Sequence, residues 1–296
     1  MDLKNYLAIK RREVEDALER YMLQAEGPMS RHIEAMRYSL FAGGKRVRPI
    51  LCMAAAEAVA SRTNRKSIMP TAVALECIHT YSLIHDDLPA MDDDELRRGK
   101  PTNHVVFGEA DAILAGDGLL SFAFELLSAP AEGISSPKQL QVINHIAGAV
   151  GSLGMVGGQA LDIENEGKDI DLVTLQLIHK CKTGKLITVS VQAGALLADC
   201  SKTQLSALTR YGEKIGLAFQ IVDDYLNATS TTEQLGKAAG SDAERSKATY
   251  PAFFGIEETR RKAAQAVDDA VNSLEEFDDK ADYLRELALY ILNRTK

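Results

Sequence analysis

Apolar residues recur at three- and four-residue spacing almost from end to end of this chain, a period that favours helices and disfavours sheets. Leu3, Leu7, Val14, Leu18 and Met22 form one such stripe. Ile33, Met36, Leu40 and Phe41 form the next, closed by Gly43-Gly44 as a helix stop. Pro49 stands where a first helical turn accepts proline, ahead of the Ala-rich run from Ile50 to Val59. Pro70 is expected to start a helix through Ala74, Ile78 and Tyr81 to about Leu88, with Pro89 ending it. The same period predicts helices over 110–128, 137–153, 155–167, 171–200, 201–228, 246–256 and 257–295, the last broken near Asp278. Leu186 to Gln192 is the exception, because it alternates apolar and polar residues and is β-branched. Its flanks are helical and no second strand exists to pair with it, so it too is assigned to helix. The expectation is an all-α protein.

At 296 residues the chain is long enough for one large core, and no Pro/Ser-rich linker divides it. A single domain over 1–296 is expected. The N-terminal segment is charged throughout, unlike a secretory signal. The most apolar stretch, Ile146 to Leu161, holds five glycines and a glutamine, which suits close helix packing better than lipid. Cys52, Cys77, Cys181 and Cys200 show no zinc-ligand spacing and read as buried free thiols. A cytoplasmic protein with no membrane partner is expected. A net charge of −8 argues against a nucleic-acid surface. Basic residues are nevertheless bunched at Lys45, Arg46 and Arg48, at Arg97, Arg98 and Lys100, and at Lys180, Lys182 and Lys185. Each bunch alone reads as a solvated helix end; together they suggest a confined anion such as a phosphorylated small molecule.

The most informative segment runs from His79 to Gly99. Five aspartates and a glutamate fall within the ten residues 86–95, at the end of an apolar helix. Buried carboxylates cost several kcal/mol each unless a cation neutralises them. Oxygen ligands without His or Cys partners favour Mg²⁺. On a regular helix Asp86 and Asp92 would point about 240° apart. Pro89 lies between them and is expected to break the turn, letting both carboxylates reach one metal cluster. Read alone, the segment is also compatible with a charged helix end.

A second pair, Asp223-Asp224, follows Phe219-Gln220 inside another apolar helix. Gln220, Asp223 and Asn227 share one face at three- and four-residue spacing. Two acidic pairs on two buried helices suggest opposing carboxylates that hold metals and a diphosphate. Such a cluster stabilises a departing diphosphate, while Arg and Lys bind its other oxygens. His79 lies seven residues before Asp86, on the same helix face. Gln159 and Asp162 fit a structural polar pair as well as a ligand contact.

These segments carry a resemblance. Gly43-Gly-Lys-Arg-Val-Arg-Pro49, His85-Asp-Asp-Leu-Pro-Ala-Met-Asp92, Arg97-Arg-Gly-Lys-Pro-Thr102, Gly157-Gly-Gln-Ala-Leu-Asp162, Lys182-Thr-Gly184, Phe219-Gln220 with Asp223-Asp224, and Lys247-Ala-Thr-Tyr-Pro251 stand in family order. The chain resembles the short-chain trans-isoprenyl diphosphate synthases, particularly bacterial farnesyl diphosphate synthases. The resemblance implies a single helical bundle of the isoprenoid synthase type around a central cavity, usually a homodimer. It implies that Lys45, Arg48, His79 and Arg98 hold isopentenyl diphosphate. Asp86 and Asp92, helped by Asp87, would bind two Mg²⁺ ions, and Asp223 with Asp224 a third. Arg97, Lys182, Lys237 and Lys247 would grip the allylic diphosphate, with Thr183 and Gln220 near the developing carbocation. The implied reaction is ionisation, condensation and elimination between isoprenoid diphosphates, and no side-chain nucleophile is required.

Product length is expected to depend on what blocks the cavity beneath the first acidic motif. Ser82 lies one turn before Asp86, with Tyr81 beside it, and the large, rigid Tyr81 is the candidate floor. An aromatic five positions before the motif resembles the bacterial farnesyl pattern, which favours a C15 product over C20 or C10. The chain departs from the family at Asn227, where an aspartate is usual, at Ser246, where glycine is usual, and at Lys185, where a small residue is common.

Three other readings compete. An HD-type phosphohydrolase leaves Lys45, Arg48, Asp223 and Asp224 unexplained. A class I terpene cyclase needs no second diphosphate site. A weakly active subunit of a heteromeric synthase is suggested only by Asn227, against an intact first motif.

Overall fold

The computed structural model describes residues 2–60, 65–229 and 248–293. Its contacts gather into two compact units, one of Met1–Ile50 with Arg65–Gln139, the other of Leu51–Asn64 with Leu140–Lys296. Helix α3 (Val47–Val59) and helix α7 (Ser136–Val150) run through the divisions in the chain.

The first unit opens with α1 (Leu3–Tyr21), whose start is capped by the Asp2 carboxylate accepting from Asn5 N–H at 3.0 Å. Its buried stripe is Tyr6, Lys10, Val14, Ala17 and Leu18. Helix α2 (Ser30–Leu40) follows, then α4 (Arg65–Asp86), α5 (Asn103–Phe107) and α6 (Glu109–Ser128). Helix α4 begins at Arg65, ahead of the expected start at Pro70, so the proline lies inside the helix. The unit's centre is the packing of α4 along α6, with α1 and α2 against α4. Between α4 and α5 a two-residue antiparallel pair forms, Leu96–Arg97 against Lys100–Pro101. Periodicity could not show it, because two residues are too few to alternate.

The second unit carries α8 (Met155–Glu164), α9 (Leu172–His179), a π-helical turn (Lys180–Gly184), α10 (Lys185–Leu197) and α11 (Lys202–Thr229). It continues with α12 (Tyr250–Phe254), α13 (Ile256–Asn272) and α14 (Asp282–Asn293). Leu186 to Gln192 is helical, as its flanks required. The expected single helix over 171–200 is interrupted by the π turn, and the break near Asp278 is present. Helix α11 forms the spine, packed against α10 and α13. Ser136–Glu164 is, by length and apolarity, the one stretch among the described residues that could cross a membrane. It is divided by a turn over 151–154 between α7 and α8, which sets it apart from a continuous span.

Apart from the short pair, the described fold is helical throughout, as the apolar period predicted.

Candidate active site

In the first unit the acidic motif is a closed loop. Helix α4 ends at Asp86, and the Asp92 N–H donates to the Asp86 carbonyl at 2.8 Å. Met91 and Asp93 both donate to the Leu88 carbonyl, at 2.8 and 3.1 Å, with Asp93 in the left-handed region at φ 53°. Chain reversal at Pro89 thus folds residue 92 back onto residue 86, which the helical angle alone would have kept apart.

Asp87 is held by an arginine. It is buried, and Arg97 Nε donates to its Oδ1 at 2.6 Å while Nη2 approaches the same oxygen at 2.5 Å. Burial raises the Asp87 pKa, opposed by Arg97. Arg97 also reaches Asp94 at 3.5 Å. The structure therefore ties Arg97, on the short strand pair, to two aspartates of the acidic run.

The basic residues around His79 are sorted by the fold. Arg46 points inward, where its guanidinium meets Glu76 at 2.7 Å and the Leu40 carbonyl at 2.9 Å, both side chains essentially buried. That pair is structural. Arg98 lies across the Gly43-Gly44 turn and donates to the Gly43 carbonyl. Gly44 has φ +143°, and a Cβ there would stand 2.8 Å from Arg98 Nη1. Glycine at 44 thus serves both the backbone and the approaching cation. His79 is kept neutral: burial, then Arg48, Arg98, Arg97 and Arg46, push its pKa well below the usual histidine value. A neutral imidazole amid four guanidiniums is an arrangement suited to an anion. A small cavity of about 30 Å³, lined by Thr80, Asp87, Arg97 and Arg98 among others, sits beside them and has room only for a water-sized guest.

Tyr81 is buried at 6% exposure, with its pKa pushed up to about 12 by burial, then by Asp86 and Asp117. The Ser82 hydroxyl turns back to donate to the His79 carbonyl at 2.9 Å.

In the second unit, Lys182 and Thr183 sit in the π turn. Such turns insert a residue into the helical ladder and often mark functional sites. Gly158 of α8 packs against this turn so closely that a Cβ would lie 2.2 Å from Lys182 N. Lys182 Nζ donates to Asp162 Oδ2 at 2.7 Å, which settles one partner for the Gly-Gly-Gln-Ala-Leu-Asp segment. The neighbouring Gln159 side chain has both its polar atoms buried with no hydrogen-bond partner, which suits contact with a ligand more than a structural pair.

Asp223 lies 3.4 Å from Gln220 Nε2, which donates to it. Asp224 is buried, and its Oδ2 accepts the Tyr250 N–H at 2.8 Å. Its Oδ1 lies 3.9 Å from His179 Nε2. His179 stacks on Tyr250 with centroids 5.8 Å apart, and burial lowers its pKa to about 4. Asp224 thus ties α11 to the start of α12. Nothing in the sequence marks His179 for this role, and Tyr250 stands out there only as part of the segment Lys247 to Pro251, because the apolar environment that makes them structural is invisible in it. Asn227 is buried on the same helix. Lys185 lines a separate cavity of about 650 Å³ with Lys180, Thr188, Glu213 and Lys214. Lys237, Ser246 and Lys247 lie outside the described residues.

Among the described residues, no three His, Cys, Asp or Glu side chains gather into a preformed metal cage. The donor set still fits magnesium. That ion takes few carboxylates and keeps positions for water and substrate phosphate, and the loop closure brings the backbones of Asp86 and Asp92 within hydrogen-bond distance.

Comparison with known proteins identifies the family. The polyprenyl synthetase family model matches residues 30–288. The farnesyl diphosphate synthase of Escherichia coli (strain K12) is 45% identical, covering 100% of both chains. The geranylgeranyl diphosphate synthase of Cyanophora paradoxa is 46% identical, covering 99% of this chain and 97% of the relative. A crystal structure of a geranyltransferase from Legionella pneumophila superposes with a TM-score of 0.87 at 36% identity, covering 99% of this chain and 97% of that one. An acidic loop tied by its own arginine and a neutral histidine among guanidiniums are carried here by a member of the polyprenyl synthetase family. It is an enzyme of the prenyltransferase class.

Proposed function

We propose that the protein condenses isopentenyl diphosphate with dimethylallyl and geranyl diphosphate to give farnesyl diphosphate, C15. The observation that carries this reading is the Asp86–Asp92 loop closure, with Arg97 pinning Asp87 inside it. A closed backbone turn with one carboxylate neutralised by Arg97 supports a role for Asp86 and Asp92 in holding a metal-bound diphosphate.

Asp86 and Asp92 are the proposed ligands for two Mg²⁺ ions, with Asp223 and Asp224 for a third. When bound, the metal supplies electrostatic stabilisation of the departing diphosphate. The remaining roles fall to the chain. Lys45, Arg48 and Arg98, with neutral His79 among them, bind the diphosphate of isopentenyl diphosphate. Arg97, Lys182, Lys237 and Lys247 hold the allylic diphosphate. The Thr183 hydroxyl and Gln220 amide present oxygens toward the developing allylic cation. The C1–O bond of the allylic substrate breaks, the isopentenyl double bond forms the new C–C bond at C1, and a proton leaves to the released pyrophosphate. Tyr81 is the proposed floor that stops growth at C15.

Exposed Val105, Val106, Ile113 and Leu114 on α5 and α6 support a homodimer formed through that face. A cytoplasmic location is proposed, supported by four free thiols, with Cys52 pushed up to about 12 by burial.

The test is turnover by the purified chain with Mg²⁺, isopentenyl diphosphate and either dimethylallyl or geranyl diphosphate, with products sized by chromatography. C15 as the main product is expected. C20 would move the reading to a geranylgeranyl synthase, and no elongation at all would overturn it.

A further inference from the structure

Tyr81 and His85 stand one turn apart on α4, and their rings meet edge to face, with centroids 5.5 Å apart and planes at 86°. His85 is itself held from α6. Its Nε2 lies 3.0 Å from the Ile113 carbonyl. A carbonyl only accepts, so Nε2 carries the proton and donates. Asp117 Oδ1 stands 3.8 Å from the same nitrogen. The imidazole fills the slot left by the missing side chain of Gly116, where a Cβ would lie 2.2 Å from Nε2 and 2.5 Å from Cδ2.

These contacts form a chain: the α6 glycine admits the histidine, the Ile113 carbonyl fixes it, and its ring braces Tyr81. A floor residue limits product length only while its ring cannot swing aside. Each added isoprene unit needs roughly one helical turn of extra depth, about 5 Å, so a released tyrosine is enough to admit it. We infer that Gly116 and His85 are positioning residues for product length, acting through Tyr81. This rests on the reading of Tyr81 as the floor.

The experiment compares the C20:C15 product ratio, with geranyl diphosphate as primer, for wild type and Tyr81→Ala, His85→Ala, Gly116→Ala and the His85→Ala/Gly116→Ala double variant. Circular dichroism checks that each is folded. An edge-on aromatic contact shifts an equilibrium by a factor of about 2–10, so both single variants are expected to raise the ratio by that factor. Tyr81→Ala raises it further. The double variant is expected to match His85→Ala alone, because Gly116 acts only through the ring that is gone. General loosening of the fold predicts additive effects instead. If Tyr81→Ala lengthens the product while Gly116→Ala and His85→Ala keep the wild-type ratio, the bracing role is overturned and the floor stands. If Tyr81→Ala makes nothing longer, the floor itself is wrong and the bracing role falls with it. Should His85→Ala prove inactive through its neighbour Asp86, Gly116→Ala alone decides.

Discussion

The backbone N–H of Asp92 donates to the carbonyl of Asp86 at 2.8 Å, closing a loop across Pro89. Two residues six positions apart are therefore neighbours along the backbone, and the turn that joins them is set by main-chain hydrogen bonds. Replacing Asp86 or Asp92 by Asn is expected to lower kcat by roughly 10²-fold or more, the scale of losing one electrostatic contact to a transition state. Chelation by EDTA is expected to abolish turnover and added Mg²⁺ to restore it. Steady-state rates across a Mg²⁺ titration check both.

Asp223 and Asp224 are adjacent in sequence but differ in setting. Asp224 holds the Tyr250 N–H in a buried setting, so Asp224→Leu is expected to cost about 1–3 kcal/mol of stability. Asp223 is only half-buried. Asp223→Ala is expected to lower turnover while shifting stability by less than about 0.5 kcal/mol. Urea midpoints beside rates separate the two.

Arg46 and Glu76 form a buried ion pair. Arg46→Met leaves a carboxylate buried without its partner and is expected to destabilise by about 3–5 kcal/mol, whereas Arg46→Met with Glu76→Leu loses much less. Chemical unfolding of the three proteins tests this, and equal losses in the single and double variants would exclude an ion-pair role.

His79 has a folded pKa held well below its unfolded value of 6.5. Below about pH 6.5 the unfolded chain takes up a proton that the folded chain refuses. The residue's stabilising contribution is therefore intact above that pH and lost as pH falls, by at most about 1.4 kcal/mol per pH unit. Unfolding midpoints at pH 7.5, 6.5 and 5.5 should converge between wild type and His79→Gln as the pH is lowered.

Asn227 stands where the family usually has aspartate. Asn227→Asp is expected to lower the Mg²⁺ concentration at half-maximal rate. Superimposable titration curves for the two proteins would show that position 227 does not touch the metal.

Much of this molecule was legible in its sequence because helices write themselves locally. A 3.6-residue period is a property of neighbours along the chain, and it marks α6 and α11 without any knowledge of packing, while Leu186 to Gln192 is assigned to helix only through its helical flanks. The clustered carboxylates at 86–95 are equally plain in the sequence, although the structure buries only Asp87 and meets it with Arg97. The π turn at Lys180–Gly184 and the short strand pair at Leu96–Arg97 left no such trace, because each is a departure from periodicity that packing stabilises. Only the tertiary structure could say that Arg46 faces Glu76 while Arg98 crosses Gly44, or that Asp87 belongs to Arg97. The same holds for His85, which sits in the space spared by Gly116. Those assignments depend on which groups meet across many residues of intervening chain, where distance and desolvation, and not residue type, decide whether a charge is a strut or a ligand.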